Sequence, residues 1–258
     1  MSEFDDRLVG LAPEDPDDDD VREAELDADE LDLLTEDQVS LVQLAFGQQS
    51  WRFGHVIVDE AQDLTPMQWR MIMRRARMRS MTIVGDMAQR TTGRPQDWKQ
   101  ILPDRLADID QRDLTINYRS PSSINDLASS VLAELAPELR PSVSIRHRDG
   151  ALEACSFDDR DELERIVIKE RDQAEGRRVA VIGHKSHWVD VDGVSNLSPY
   201  DAKGLEFDVV VVVEPAQILR IEHGMSLLYV AITRATNRLV VAHQEQLPDL
   251  ITAAIADS

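Results

Sequence analysis

A chain of 258 residues has room for one large or two small domains with real hydrophobic cores. Its 49 acids against 28 bases give a net charge of -21, which disfavours nucleic acid as a tightly held partner. The single cysteine, Cys155, excludes a disulfide framework within the chain and a Cys-rich metal site. Met1 to Gly10 has neither a basic nor an apolar targeting region, and no apolar run reaches membrane-spanning length. A soluble, cytoplasmic protein without a membrane partner is expected.

The charge is uneven. The first 40 residues hold 17 acids and 2 bases, a net of -15, leaving -6 for the other 218. Residues 1–50 therefore read as an acidic, largely disordered arm, because stretches such as Glu14 to Asp20 offer little apolar surface against chain entropy. The arm is either a solvated linker or an acidic docking tail. Within it, Leu26, Leu31, Leu34, Leu41, Val42 and Phe46 permit an amphipathic helix over Glu23 to Phe46, ended by Gly47.

From residue 51 onward strands and helices alternate in the manner of a parallel sheet with crossovers. His55 to Val58 is a short apolar strand that stops at Asp59 and Glu60. Acids at the carboxyl end of such a strand are placed for chemistry; they also suit the start of the next helix, and both readings stand at this point. Thr65 caps and Pro66 opens a helix predicted to run to Met78. Six of the eight methionines fall between Met67 and Met87, a density that suits core filler around one helix. A second strand, Ser80 to Val84, breaks at Gly85-Asp86 and leads to Gln89. Residues 51–111 thus look like the second half of one α/β domain, and residues 112–258 like a second, with strands near Thr115, Ala154, Val181, Val211 and Val240.

Within that second stretch, Leu114 to Ser120 forms a strand carrying Arg119, with a helix opening at Pro121. Gly183-His184-Lys185-Ser186 has the look of a phosphate loop but lacks the Gly-Lys pair, and reads as a strand-to-loop turn. Ala202 to Asp208 leads into the unbroken strand Val209 to Val213, and Leu228 to Ala235 is a predicted helix presenting Arg234. The histidines show no metal-ligand spacing with Cys155, which itself reads as an inert core residue. Trp51, Trp69, Trp98 and Trp188 read as packing residues.

Taken in order, His55–Asp63, Ser80–Gln89, Leu114–Ser120, Ala202–Asp208 and Leu228–Ala235 resemble motifs II to VI of the UvrD/Rep-like superfamily 1 helicases. The resemblance runs from residue 55 to residue 243 and implies an α/β fold of parallel-sheet RecA-like motor domains. One of these would be partial and one near-complete, because the phosphate loop G-x-x-x-x-G-K-[ST] is nowhere in the sequence. The chain is then expected to be the carboxyl-terminal part of a motor, inactive until a complementing half supplies that loop.

The resemblance also implies roles, residue by residue. Asp59 would hold Mg2+ and Glu60 would activate water; Gln89 would sense the γ-phosphate of ATP and link hydrolysis to domain movement. Arg119 and Arg234 would be arginine fingers, their planar forks suited to phosphate oxygens, while Gly204 and Glu206 would meet the phosphate and ribose side of the nucleotide. ATP and Mg2+ are the implied cofactors. Only 84 positions separate Arg119 from Lys203, too few for the extra domain of UvrD and Rep, and Gln89 is followed by Arg90-Thr91-Thr92-Gly93 rather than base-stacking aromatics.

The stretches Val58 to Trp69 and Leu228 to Thr236 look most like the HelD group, which implies RNA polymerase as partner and its ATP-driven release as activity. The alternatives are a DNA-helicase fragment of the UvrD/Rep branch, binding DNA weakly given its charge, and a catalytically dead binding module derived from such a motor.

Overall fold

The computed structural model describes residues 53–76, 80–91, 97–103, 106 and 109–256. The acidic arm, its predicted helix, Trp51 and Met78 lie outside the described residues. The chain divides into two compact units, Met1–Gly85 with Asp97–Gln111, and Asp86–Gln96 with Arg112–Ser258. The segment carrying Gln89 is thus grouped with the second unit, although strand and turn immediately before it belong to the first.

In the first unit, β1 (Val56–Val58) lies parallel to β2 (Met81–Ile83), with Val56 opposite Met81 and Val58 opposite Ile83. Helix α1 (Pro66–Met73) begins as its sequence dictates: Thr65 and Gln68 satisfy each other's backbone N–H in a capping box, with Pro66 at the first helical position. It ends five residues earlier than the sequence suggests. Ala76 leaves the helix to form a parallel bridge with Phe53, whose N–H donates to the Arg75 carbonyl at 2.7 Å. The core gathers Val58, Ala61, Trp69, Ala76, Met81, Leu102 and Leu106. Core filling accounts for Met81 and Met73 but not for Met67 and Met71, which are exposed. A short helix α2 (Trp98–Ile101), capped by Asp97, brings Trp98 to this core.

The second unit is built on a five-stranded, wholly parallel sheet. Its order is β5 (Leu152–Ser156), β9 (Ala235–His243), β8 (Phe207–Val213), β6 (Val179–Ile182) and β7 (Val194–Leu197). The period-2 geometry of a strand sends Val210 and Val212 of β8 into one core and Val211 and Val213 into the other. Both faces are covered, which is why Val209–Val213 of this strand is an unbroken run of valine. One face is covered by α3 (Ser122–Leu135), α5 (Pro215–Arg220), α6 (Gly224–Thr233) and α7 (Asp249–Ala256), the other by α4 (Arg160–Gln173). In α3 the buried residues Ile124, Leu127, Ala128, Val131 and Leu132 follow the helical period, one stripe toward the sheet.

A separate two-stranded parallel sheet pairs β3 (Ile116–Pro121) with β4 (Val143–Arg146). The Ser120 hydroxyl donates to the Ala235 carbonyl at 2.9 Å, and Arg146 donates to the carbonyls of Arg119 and Thr236, so both strands are fastened to the start of β9. A strand lies at or next to each of the five expected positions of this unit, β3 starting one residue after Thr115; β4 and β7, four residues each, are additions. Helix α6 starts earlier than expected and ends at Thr233, leaving Arg234 as its cap. Its first residue is Gly224, where a Cβ would lie 2.3 Å from the Ile218 carbonyl oxygen, so the close approach calls for glycine. No helix among the described residues is long and apolar enough to cross a membrane.

Candidate functional site

In the first unit, Asp59 and Glu60 follow β1 directly, and both are exposed. Asp59 Oδ1 accepts the Glu60 N–H at 2.8 Å, and Glu60 sits in the left-handed region at φ 50, ψ 36. A residue with a side chain held there stores strain, a feature that clusters at working sites. Neither acid caps α1, whose cap is Thr65, and Glu60 makes no side-chain cap bond to the turn Ala61–Asp63. Glu60 Oε2 instead accepts the amide of the buried Gln62 at 2.6 Å. A Cβ at Gly85, two residues past β2, would stand 2.3 Å from Gln62 Oε1 and 2.8 Å from the Trp98 ring, so those side chains would have to shift.

In the second unit the candidate side chains gather at the amino ends of β8 and β9 and the carboxyl end of β3. Asp86 caps the turn Met87–Gln89, accepting the Ala88 N–H at 2.9 Å through Oδ1 and the Gln89 amide at 3.0 Å through Oδ2. The other end of the Gln89 carboxamide, Oε1, accepts from Arg234 Nη2 at 2.9 Å. Arg234 is only 5% exposed; its Nε donates to the Val230 carbonyl at 3.2 Å and its Nη1 to the Leu205 carbonyl at 3.1 Å. Burial pushes the Asp86 carboxyl above its ordinary value, against hydrogen bonds from Gln89, Ala88 and Tyr229 and the charge of Arg234. The Tyr229 hydroxyl is pushed up in turn by burial and by Asp86.

Arg119 is the opposite case, its side chain half exposed and ion-paired with Glu206. Its backbone is held by Asn117, whose Oδ1 accepts the N–H groups of Arg119 and Ser120 at 2.8 and 3.1 Å. Asn117 is itself fixed by the buried Asn125, at 2.8 Å. Gly204 adopts φ +69 with nothing near its missing Cβ, so backbone conformation rather than crowding calls for glycine there. The Lys203 ammonium donates to Thr91 Oγ1 at 2.8 Å. A cavity of about 270 Å³ is lined by Asp86, Gln89, Arg119, Asn125, Tyr229 and Arg234 among others.

The structure therefore joins Gln89 to Arg234 and Arg119 to Glu206 within one unit, with Gly204 close in sequence to the latter; Asp59 and Glu60 belong to the other unit. Sequence reasoning passed over Asp86, Asn117, Asn125 and Tyr229. The available signal was spacing: Asp86 lies one turn before Gln89, and Asn117 two residues before Arg119. Cys155, on β5, has its thiol pushed up to about 11, mainly by burial.

Two UvrD-like helicase domains match this chain. The UvrD/REP helicase N-terminal domain matches residues 13–91, which contain Asp59, Glu60 and Gln89. The UvrD-like helicase C-terminal domain matches residues 197–242, which contain Gly204, Glu206 and Arg234. Arg119 falls in neither stretch. No curated protein matches.

Among solved structures, the chain is similar to the C-terminal domain of a possible DNA helicase from Lactobacillus plantarum WCFS1. The identity is 21%, over 52% of this chain and 92% of that one, with a TM-score of 0.39. It is also similar to the arterivirus nonstructural protein 10 helicase, at 15% identity over 80% of this chain and 42% of that one, TM-score 0.48. The same viral helicase in complex with DNA gives 16% identity, 80% and 43% coverage and a TM-score of 0.49. The chain thus spans under half the length of the viral helicase.

Proposed function

We propose that this chain is the carboxyl-terminal portion of an ATP-dependent helicase or translocase-type motor, HelD-like in kind and acting on RNA polymerase. The observation that carries the motor reading is the 2.9 Å bond from Arg234 to Gln89, residues 145 positions apart, each from a separately matched UvrD-like stretch. The second half of a first RecA-like domain, residues 51–111, and a second RecA-like domain, residues 112–258, are the organisation assigned to it.

The residues suit the cofactor chemistry. Asp59 and Glu60 present exposed carboxylate oxygens, the hard donors Mg2+ prefers while keeping part of its water shell. Asp59 is assigned to hold the ion, which when bound neutralises charge on the phosphates of ATP. Glu60, steadied by Gln62, is assigned to take the proton of the attacking water. Arg119 reaches solvent and can exchange Glu206 for a phosphate oxygen, whereas Arg234 must first part from Gln89 or act with it. Gly204 and Glu206 are assigned to the nucleotide's phosphate and ribose side.

For the partner, the -21 charge favours encounter with a large protein bearing a basic channel and opposes phosphate backbones. The test is capture at low salt, with the immobilised full chain offered RNA polymerase core and, separately, a single-stranded oligonucleotide. Polymerase retained, and lost on deleting Glu14 to Asp37, is the expected result. Oligonucleotide held with no polymerase would return the chain to the DNA-helicase branch, and retention of neither would overturn an action on both.

A further inference from the structure

Capping the turn Met87–Gln89 needs one acceptor, and Asp86 Oδ1 supplies it. Serine or asparagine would cap as well as aspartate. The second oxygen is not explained by the turn. It accepts from Gln89 at 3.0 Å, in a half-buried place that raises the cost of its charge.

A carboxamide offers a donor end and an acceptor end of nearly equal size, so its partners decide which end points where. An ionised carboxylate only accepts and a guanidinium only donates. With Asp86 on one side and Arg234 on the other, Gln89 has one orientation in which every group is satisfied: Nε2 to Asp86 and Oε1 to Arg234. Tyr229 lines the same cavity as Asp86, Gln89 and Arg234 and stands on α6, whose cap is Arg234, and its hydroxyl is among the groups that act on the Asp86 carboxyl. With Tyr229 beside Asp86, these four side chains would form a circuit that begins and ends on α6.

We propose that Asp86 is a positioning residue that fixes which end of the Gln89 carboxamide meets Arg234, and that Tyr229 ties this pair to α6. The functional meaning rests on the assignment of Gln89 and Arg234 to the working site; the circuit itself does not. Displacement of Arg234 toward an incoming phosphate would then be felt at Tyr229 and in the Asp86 turn together.

The test exchanges polarity rather than shape. Asp86→Asn keeps the cap but turns a donor toward Gln89, which must rotate and face Arg234 with its own NH2. Hydrogen exchange of the Arg234 guanidinium, read by NMR on the full chain without nucleotide, should quicken on the order of tenfold, the scale of one hydrogen bond to a charged group. Combining Gln89→Glu with Asp86→Asn supplies one acceptor oxygen to the introduced amide and another to Arg234, and should return exchange close to the starting value.

A structural cap predicts no change in exchange for Asp86→Asn and no rescue, and either result would overturn the proposal. Should Asp86→Asn fail to fold, Asp86→Ser keeps the cap with an oxygen too short to reach Gln89 and should quicken exchange likewise; unchanged exchange there is equally fatal. Tyr229→Phe should give a smaller gain in the same direction, and no gain would remove Tyr229 from the circuit. Because nucleotide is absent, these results stand apart from polymerase capture, whose failure would touch the functional reading alone.

Discussion

β1 and β8 share a local signature, a β-branched run closed by a glutamate in the left-handed region, yet the two glutamates meet opposite surroundings. Glu60 lies two residues beyond β1 in the first unit, at φ 50, and is exposed. Glu214 ends the central strand of the five-stranded sheet, at φ 54, and is 1% exposed. One of its oxygens accepts the Gln244 N–H, and the other has no hydrogen-bond partner among the described residues. The number of flanking strands and covering layers, not the run itself, decides whether a strand-end acid meets solvent or is walled in. In the second unit the assigned residues Glu206 and Arg234 sit instead at the opposite, amino ends of β8 and β9.

The sharpest way to break this contrast is kinetic. The chain alone should hydrolyse ATP no faster than buffer. With a phosphate-loop half supplied in trans, Arg119→Ala and Arg234→Ala should each lower turnover on the order of 10³-fold or more. A radiolabelled-ATP assay in which both variants keep the reconstituted rate would strip the two arginines of their assigned roles.

Buried and exposed ion pairs should separate next. Arg238 of β9 donates to Glu170, 2% exposed, and to Glu153. Arg238→Met strands the Glu170 carboxylate and should cost about 3–5 kcal/mol in urea unfolding. Glu206→Gln, breaking the open pair with Arg119, should stay within about 1 kcal/mol. Equal costs would show that burial is not what distinguishes the two pairs.

The two strand-end glutamates give a smaller difference. Glu214→Ala removes the acceptor of Gln244 and should cost about 1–3 kcal/mol, whereas Glu60→Gln, at the surface, should move unfolding by no more than about 0.5 kcal/mol. The comparison fails if Glu60→Gln proves the more damaging of the two.

Smallest is a pH effect. Hydrogen bonding from Arg238 holds the Glu153 carboxyl below its ordinary value, so its stabilisation is present above the unfolded value and disappears as pH falls through the depressed one. Glu153→Gln should therefore be less stable than wild type at pH 7, by under about 1 kcal/mol given the half-exposed side chain, and equal to it below that window. A gap that widens on acidification would reverse the assigned sign.

Much of this fold was legible because local chemistry and tertiary demand agree. The valines of β8, the stripe of α3 and the Thr65–Gln68 capping box each announce their element. The end of α1 was not legible, since Ala76 is drawn away by Phe53 from outside the helix. β4 and β7, Val-Ser-Ile-Arg and Val-Ser-Asn-Leu, are too short to stand out from loops. At the site, Gln89 and Arg234 were marked by their motif segments, but their mutual bond and the Asp86–Tyr229 contact exist only once distant segments meet. Nor could spacing tell that Arg234 would be enclosed and Arg119 open.

Gly224 gives a geneticist a handle. Backbone atoms of Ile218 and Leu219 occupy the space that any side chain would claim, at 2.3 and 2.7 Å, and backbone cannot swing aside as a long side chain could. In a saturation library this codon should tolerate nothing but glycine. An alanine allele should show its defect first at elevated temperature, with every residue of the cavity still encoded as before.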